Sequence, residues 1–132
     1  MVERTLFVVS DVHGYYTEMK EALEGAGFCA EKDDHLFVSC GDLFDRGTEN
    51  KSVYDFIRSL KNKILIKGNH EDMLLETLQR GYLIDRDIDN GAALTVSDLL
   101  GKDALSEKGE FDRELHGEKI AELSAFIEGM LD

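Results

Sequence analysis

Three short apolar runs, residues 6–9, 35–40 and 63–67, punctuate the first half of the chain. Each is continuous rather than alternating, the pattern of a β-strand covered on both faces. Between them the apolar period lengthens. Met19, Ala22, Leu23 and Ala26 share helical spacing within residues 17–26, and Val53, Phe56, Ile57 and Leu60 do so within 48–60. Leu74, Leu75 and Leu78 mark a third helix over 71–80. Strand and helix alternating three times predict right-handed parallel crossovers, hence an α/β fold with a mostly parallel sheet flanked by helices. After Gly81 the rhythm changes. Turn chemistry at Asp89-Asn90-Gly91 precedes a short helix over 92–100 and a charged stretch over 101–119. An amphipathic helix over 118–131 then carries Ile120, Leu123, Ile127, Met130 and Leu131 on one side, with no strand expected after it. The pattern predicts a single domain over 1–132. Residues 1–80 form its βαβαβα core, and residues 81–132 a mostly helical extension.

Length and charge narrow the picture. A chain of 132 residues is enough for one hydrophobic core. Asp and Glu number 28 against 15 Lys and Arg, a formal net charge of -13. That excess repels polyanions, which argues against nucleic acid or an acidic membrane surface as partner. No apolar run approaches the ~20 residues of a membrane helix. Cys29 and Cys40 are too few for a disulfide framework, so a reduced, cytoplasmic setting is expected.

Polar clusters follow each of the three apolar runs: Asp11-Val12-His13-Gly14, Gly41-Asp42 through Asp45-Arg46-Gly47, and Gly68-Asn69-His70-Glu71. In a parallel α/β sheet the crevice beyond the strand C-termini can collect all three. Asp11, His13, Asp42 and Asn69 offer carboxylate, imidazole and amide donors, a mixed set suited to Mn, Fe or Zn rather than calcium. Glu71 is open to two readings, support for a ligand or an acid favoured by the helix N-terminus. The acidic run Asp85, Asp87, Asp89 imitates a calcium loop but fails on register, because Gly91 falls one place late.

In order and spacing, the three clusters resemble the signature motifs of calcineurin-like metallophosphoesterases, and more closely their serine/threonine phosphoprotein phosphatase branch. The resemblance is good over about residues 5–80 and faint through Asp89 to Thr95. It implies the first half of an α/β/β/α sandwich and a two-metal centre that makes hydroxide near neutral pH. By that resemblance Asp11 and His13 hold one metal, Asp42 bridges two, and Asn69 binds the second. His70 is the general acid, oriented by Asp45, and Arg46 grips phosphate as a planar fork; Asn69 and His70 also face the phosphate. The implied substrate is a phosphomonoester, phosphoserine or phosphothreonine in a protein, with small phosphoesters and dinucleoside polyphosphates in the same superfamily.

The family completes its site with two later histidines, and after His70 this sequence offers only His116, in charged surroundings that read as solvated surface. His35 precedes its strand, at the wrong end of the sheet. The chain therefore reads as the N-terminal half of a phosphatase, with one metal or none well held. The alternative function is a remnant that binds metal or phosphate, or self-associates, without turnover. An unfinished sheet edge or the 118–131 helix is the expected contact in a homo-oligomer.

Overall fold

A computed structural model describes residues 3–132. Strands β1 (Thr5–Val9), β2 (His35–Ser39) and β3 (Lys63–Leu65) lie parallel in the order β1-β2-β3. Their register pairs Phe7 with Phe37 and Val9 with Ser39, and Ser39 with Leu65. Those side chains share one face. There α1 (Tyr16–Gly25) and α2 (Asn50–Ser59) cover the sheet through an aromatic cluster that joins Phe7, Phe28, Phe37 and Phe56. The remaining helices are α3 (Asn69–Arg80), α4 (Asp85–Asp89), α5 (Ala92–Leu100) and α6 (Arg113–Glu128). The fold is α/β, a three-stranded parallel sheet flanked by six helices among the described residues.

The other sheet face differs from expectation. Leu6 and Val8 stay 57% and 58% exposed, and Ile64, across the central strand on the same face, is exposed as well, although Leu36 between them is buried. The apolar run over 6–9 is therefore covered on one side only, because the helices that bury Phe7 and Phe37 lie on the opposite face.

Two helices start earlier than their apolar pattern suggests. The first, α3, begins at Asn69, which places His70 and Glu71 in its first turn and buries both. It ends at Gly81, whose φ of 90° is left-handed and whose missing Cβ leaves room for the Arg113 guanidinium. The second, α6, begins at Arg113 because the Asp112 carboxylate accepts the Leu115 amide at 3.1 Å, an N-cap. Its inner stripe is Leu123 and Ile127, with Met130 buried just beyond the helix end. Leu131 does not belong to that stripe. It is exposed and extended, donating to the Leu65 carbonyl and accepting from the Lys67 amide, a single parallel bridge beside Ile66. The chain thus returns to the sheet after α6, where no strand was expected.

His116 is a second correction. It is buried, with Nε2 2.9 Å from an Asp103 oxygen and its ring against Gly101. It sits one helical turn before Ile120 and two before Leu123, on the inner stripe, so the neighbouring charges misrepresent its environment. His35 opens β2 at the end opposite the clusters and accepts the Cys29 amide at 3.0 Å. Asp87 is committed to structure as well, held by Arg80 at 2.8 Å and by the Ile84 amide at 3.0 Å.

Candidate metal centre

Beyond the strand ends, the first two loops stay hydrogen-bonded to each other. Cys40 donates to the Val9 carbonyl at 2.9 Å, Asp11 to Gly41 at 3.0 Å, His13 to Asp42 at 2.9 Å and Gly14 to Leu43 at 2.8 Å. This ladder runs between irregular segments, and the backbone is bent to make it. Five described non-glycine residues have positive φ: Asp11 (55°), His13 (47°), Asp42 (58°), Asp45 (74°) and Arg46 (80°). Every one belongs to the clusters singled out from sequence. Left-handed backbone costs a non-glycine residue about 1 kcal/mol or more, and here it turns polar side chains into one crevice.

The third loop closes on the second through two glycines. A Cβ on Gly68 would lie 2.4 Å from Asp42 Oδ1 and 2.6 Å from the Asp42 nitrogen, and one on Gly41 would meet Gly68 at 2.7 Å. This close approach lets the His70 amide donate to Asp42 Oδ1 at 2.9 Å. Gly68→Ala is expected to push the loops apart, destabilising the protein by about 1–3 kcal/mol, the scale of a small overpacking change. Urea midpoints check this; a midpoint matching the parent's would show that the contact is not needed.

Asp11, His13 and Asp42 each bring a donor atom to a cluster whose atoms lie within 4.8 Å of one another. His13 is already oriented. Its Nδ1 lies 2.9 Å from the Phe44 carbonyl, which can only accept, so the neutral ring carries its proton on Nδ1. The lone pair on Nε2 is left facing Asp11 Oδ1 at 3.9 Å. A histidine tied through one nitrogen with the other bare is the usual preparation of a metal ligand. Two carboxylates and an imidazole suit a divalent first-row cation. Asn69 opens α3, exposed, beside the residue that bonds Asp42.

His70 stands edge-on to His13, ring centroids 4.7 Å apart. Its Nδ1 lies 2.7 Å from Asp45 Oδ2, and both side chains are buried. Asp45 is fixed in turn. Its amide donates to Thr95 Oγ1 at 3.0 Å and Asn50 Oδ1 at 3.2 Å, and the Thr95 hydroxyl donates to Asp45 Oδ1 at 2.6 Å. Asn50 also donates to the Gly47 carbonyl at 3.0 Å and to Asp98 at 2.9 Å. Sequence reasoning missed Asn50 and Thr95. Thr95 closes the stretch whose resemblance was faint, and nothing in the sequence pattern marks Asn50. Arg46 is exposed, and among the described residues its guanidinium enters no ion pair.

Glu71 is fully buried beneath this crevice, and neither of its oxygens accepts a hydrogen bond. Burial, reinforced by the nearby Asp42 charge, pushes its carboxyl up to about 7. Amides of Gly68, Leu43 and Asp42 face it and pull the other way, but without good hydrogen-bond geometry they do not win.

A family model of calcineurin-like phosphoesterases matches residues 4–128. The chain belongs to that family. Among relatives in it, the symmetrical bis(5'-nucleosyl)-tetraphosphatase of Coxiella burnetii (strain Dugway 5J108-111) is 39% identical over 72 residues, 54% of this chain and 24% of the relative. The enzyme of that name from Buchnera aphidicola subsp. Acyrthosiphon pisum (strain Tuc7) is 36% identical over 70 residues, 52% of this chain and 25% of the relative. The matched stretch of the chain spans about a quarter of the length of these relatives. No helix among the described residues of this calcineurin-like phosphoesterase is long and apolar enough to cross a membrane.

Proposed function

We propose that this chain is a divalent-metal-dependent phosphoesterase that hydrolyses its substrate at the crevice formed by the three loops. The observation that carries the reading is the gathering of all five strained non-glycine residues around one donor cluster and one buried Asp–His pair. Asp11, His13 and Asp42 would hold a first cation, and Asp42 with Asn69 would contact a second. Such ions supply Lewis acidity and bring the pKa of water toward neutrality. Asp11, Asp42 and Asp45 would otherwise repel a phosphate, so anionic substrate and cation belong together here.

Arg46, free of ion pairs with described residues, is placed to offer its planar fork to phosphoryl oxygens. His70 keeps its Nδ1 proton on Asp45. In the protonated ring the Nε2 proton is the one available to the leaving oxygen, because Nδ1 stays turned to Asp45. For the substrate, similarity to the two tetraphosphatases supports a dinucleoside polyphosphate above the phosphoserine or phosphothreonine that the motifs suggest. Manganese, with iron and zinc as alternatives, suits the mixed donor set, and the two free cysteines support a reducing cytoplasm.

Initial rates with aryl phosphate, diadenosine tetraphosphate and a phosphothreonine peptide, with Mn²⁺ and with chelator, test this. Turnover that needs metal and falls about 10²-fold or more in His70→Asn is expected. No turnover of any substrate with Mn²⁺, Fe²⁺ or Zn²⁺ would contradict it. Tight metal binding without turnover would instead favour a role in binding metal or phosphate without catalysis, a reading supported by the three ligands gathered among the described residues.

The exposed face of Leu6, Val8 and Ile64 supports self-association through the sheet rather than through α6, whose Leu123 and Ile127 turn inward. Sedimentation is expected to show mass rising with concentration, and Val8→Lys is expected to return the protein to monomer. A monomer at millimolar concentration without that change would refute it.

A further inference from the structure

The buried carboxylate of Asp45 has two oxygens with two different tasks. Oδ2 lies 2.7 Å from His70 Nδ1, and Oδ1 accepts the Thr95 hydroxyl at 2.6 Å. The same hydroxyl accepts the Asp45 amide at 3.0 Å, so one side chain grips this residue at both its backbone and its head. Thr95 is fully buried, on α5, fifty positions along the chain from Asp45. Asp45 needs such a grip. Its φ of 74° is unfavourable for an L-residue, and a carboxylate free to change rotamer could turn away and leave His70 Nδ1 without its acceptor. With Oδ1 tied to Thr95 the carboxylate cannot swing away, so Oδ2 stays against the imidazole and the ring keeps its proton on Nδ1.

We infer that Thr95 is a positioning residue for hydrolysis: by holding Asp45 in one rotamer through a donated and an accepted hydrogen bond, it fixes the tautomer and direction of His70. The inference rests on the reading of His70 as proton donor. Its geometry nonetheless stands without turnover, which allows the two to fail separately. A threonine is suited to the place. It can donate and accept at once, and its β-branch limits the rotamers from which Oγ1 could leave Asp45. Serine can make the same two bonds, whereas valine keeps the shape and makes neither.

The test uses the full chain with Thr95→Val and Thr95→Ser. In chelator-stripped protein, nitrogen–proton correlation spectra of the His70 ring, assigned by its loss in His70→Asn, read the tautomer at one fixed pH. A protected Nδ1 proton with a bare Nε2 is expected in the parent and in Thr95→Ser, and a mixture of tautomers in Thr95→Val. With Mn²⁺ and aryl phosphate, kcat of Thr95→Val is expected to fall about tenfold or more with KM within about twofold, and serine to restore most of it. If valine prevents folding, Thr95→Ala serves in its place. An unchanged His70 spectrum in the valine or alanine variant would overturn the inference, as would an unchanged kcat. A parent with the expected spectrum and no turnover would sink the hydrolase reading and leave the positioning role standing.

Discussion

Asp42→Asn is expected to lower metal-dependent hydrolysis by on the order of 10²–10³-fold, the scale on which a preorganised site loses one charge-stabilising group. The same change is expected to raise the stability of the metal-free protein. Asparagine tolerates left-handed backbone better than most residues, so the φ of 58° is kept. Its amide oxygen can still accept the His70 amide now bound by Asp42 Oδ1. Removing the charge relieves the repulsion that Asp42 exerts on buried Glu71. A gain of about 1 kcal/mol corresponds to a few degrees in Tm for a domain of this size. Melting curves with chelator, alongside rates with Mn²⁺, check both halves. A less stable metal-free variant would mean that Asp42 serves structure first.

Glu71 gives the second large effect, and its sign follows from burial. Its folded carboxyl titrates near 7 against an ordinary 4.5, so the folded chain keeps a proton that the unfolded chain gives up. That stabilisation is complete below about pH 4.5 and is lost as pH rises through 7. It amounts to about 3 kcal/mol at the upper limit. Glu71→Gln removes the titration. In the presence of chelator, the stability difference between variant and parent is expected to move in the variant's favour by about 3 kcal/mol between pH 4.5 and 8. Urea titrations at intervals across that range read it. A pH-independent difference would show that the carboxylate is hydrated or hydrogen-bonded in solution. A cation beside Asp42 cancels part of the repulsion, so adding Mn²⁺ is expected to flatten the slope.

The sequence was legible where local chemistry repeats a known pattern. Apolar runs of strand length marked β1, β2 and β3, and the polar residues after each run are those the structure brings together. The bends were not legible. Asp and His tolerate positive φ better than most residues, but at Asp11, His13 and Asp42 it is selected by the ladder between two loops thirty residues apart, which local sequence does not show. Helix ends were misjudged where a single polar group decides them, as the Asp112 cap does for α6. His116 was readable in principle, because its spacing to Ile120, Leu123 and Ile127 continues the apolar stripe across charged neighbours. Thr95 was not. Its importance comes from a contact with Asp45 across fifty residues, and the faint resemblance through Asp89 to Thr95 gave no role to the threonine. The bare face of Leu6 and Val8 also escaped prediction, since a continuous apolar run implies two covers without naming either.

Asp11 and His13 on the first loop and Asp42 on the second make a divalent-cation site. Electron paramagnetic resonance of Mn²⁺ added to chelator-stripped protein tests it most directly, by following the sharp signal of the free ion. The expected result is loss of that signal up to at least one ion per chain, with hyperfine coupling to a histidine nitrogen that disappears in His13→Ala. A free-ion signal that rises in proportion to added Mn²⁺ from the first addition would contradict it.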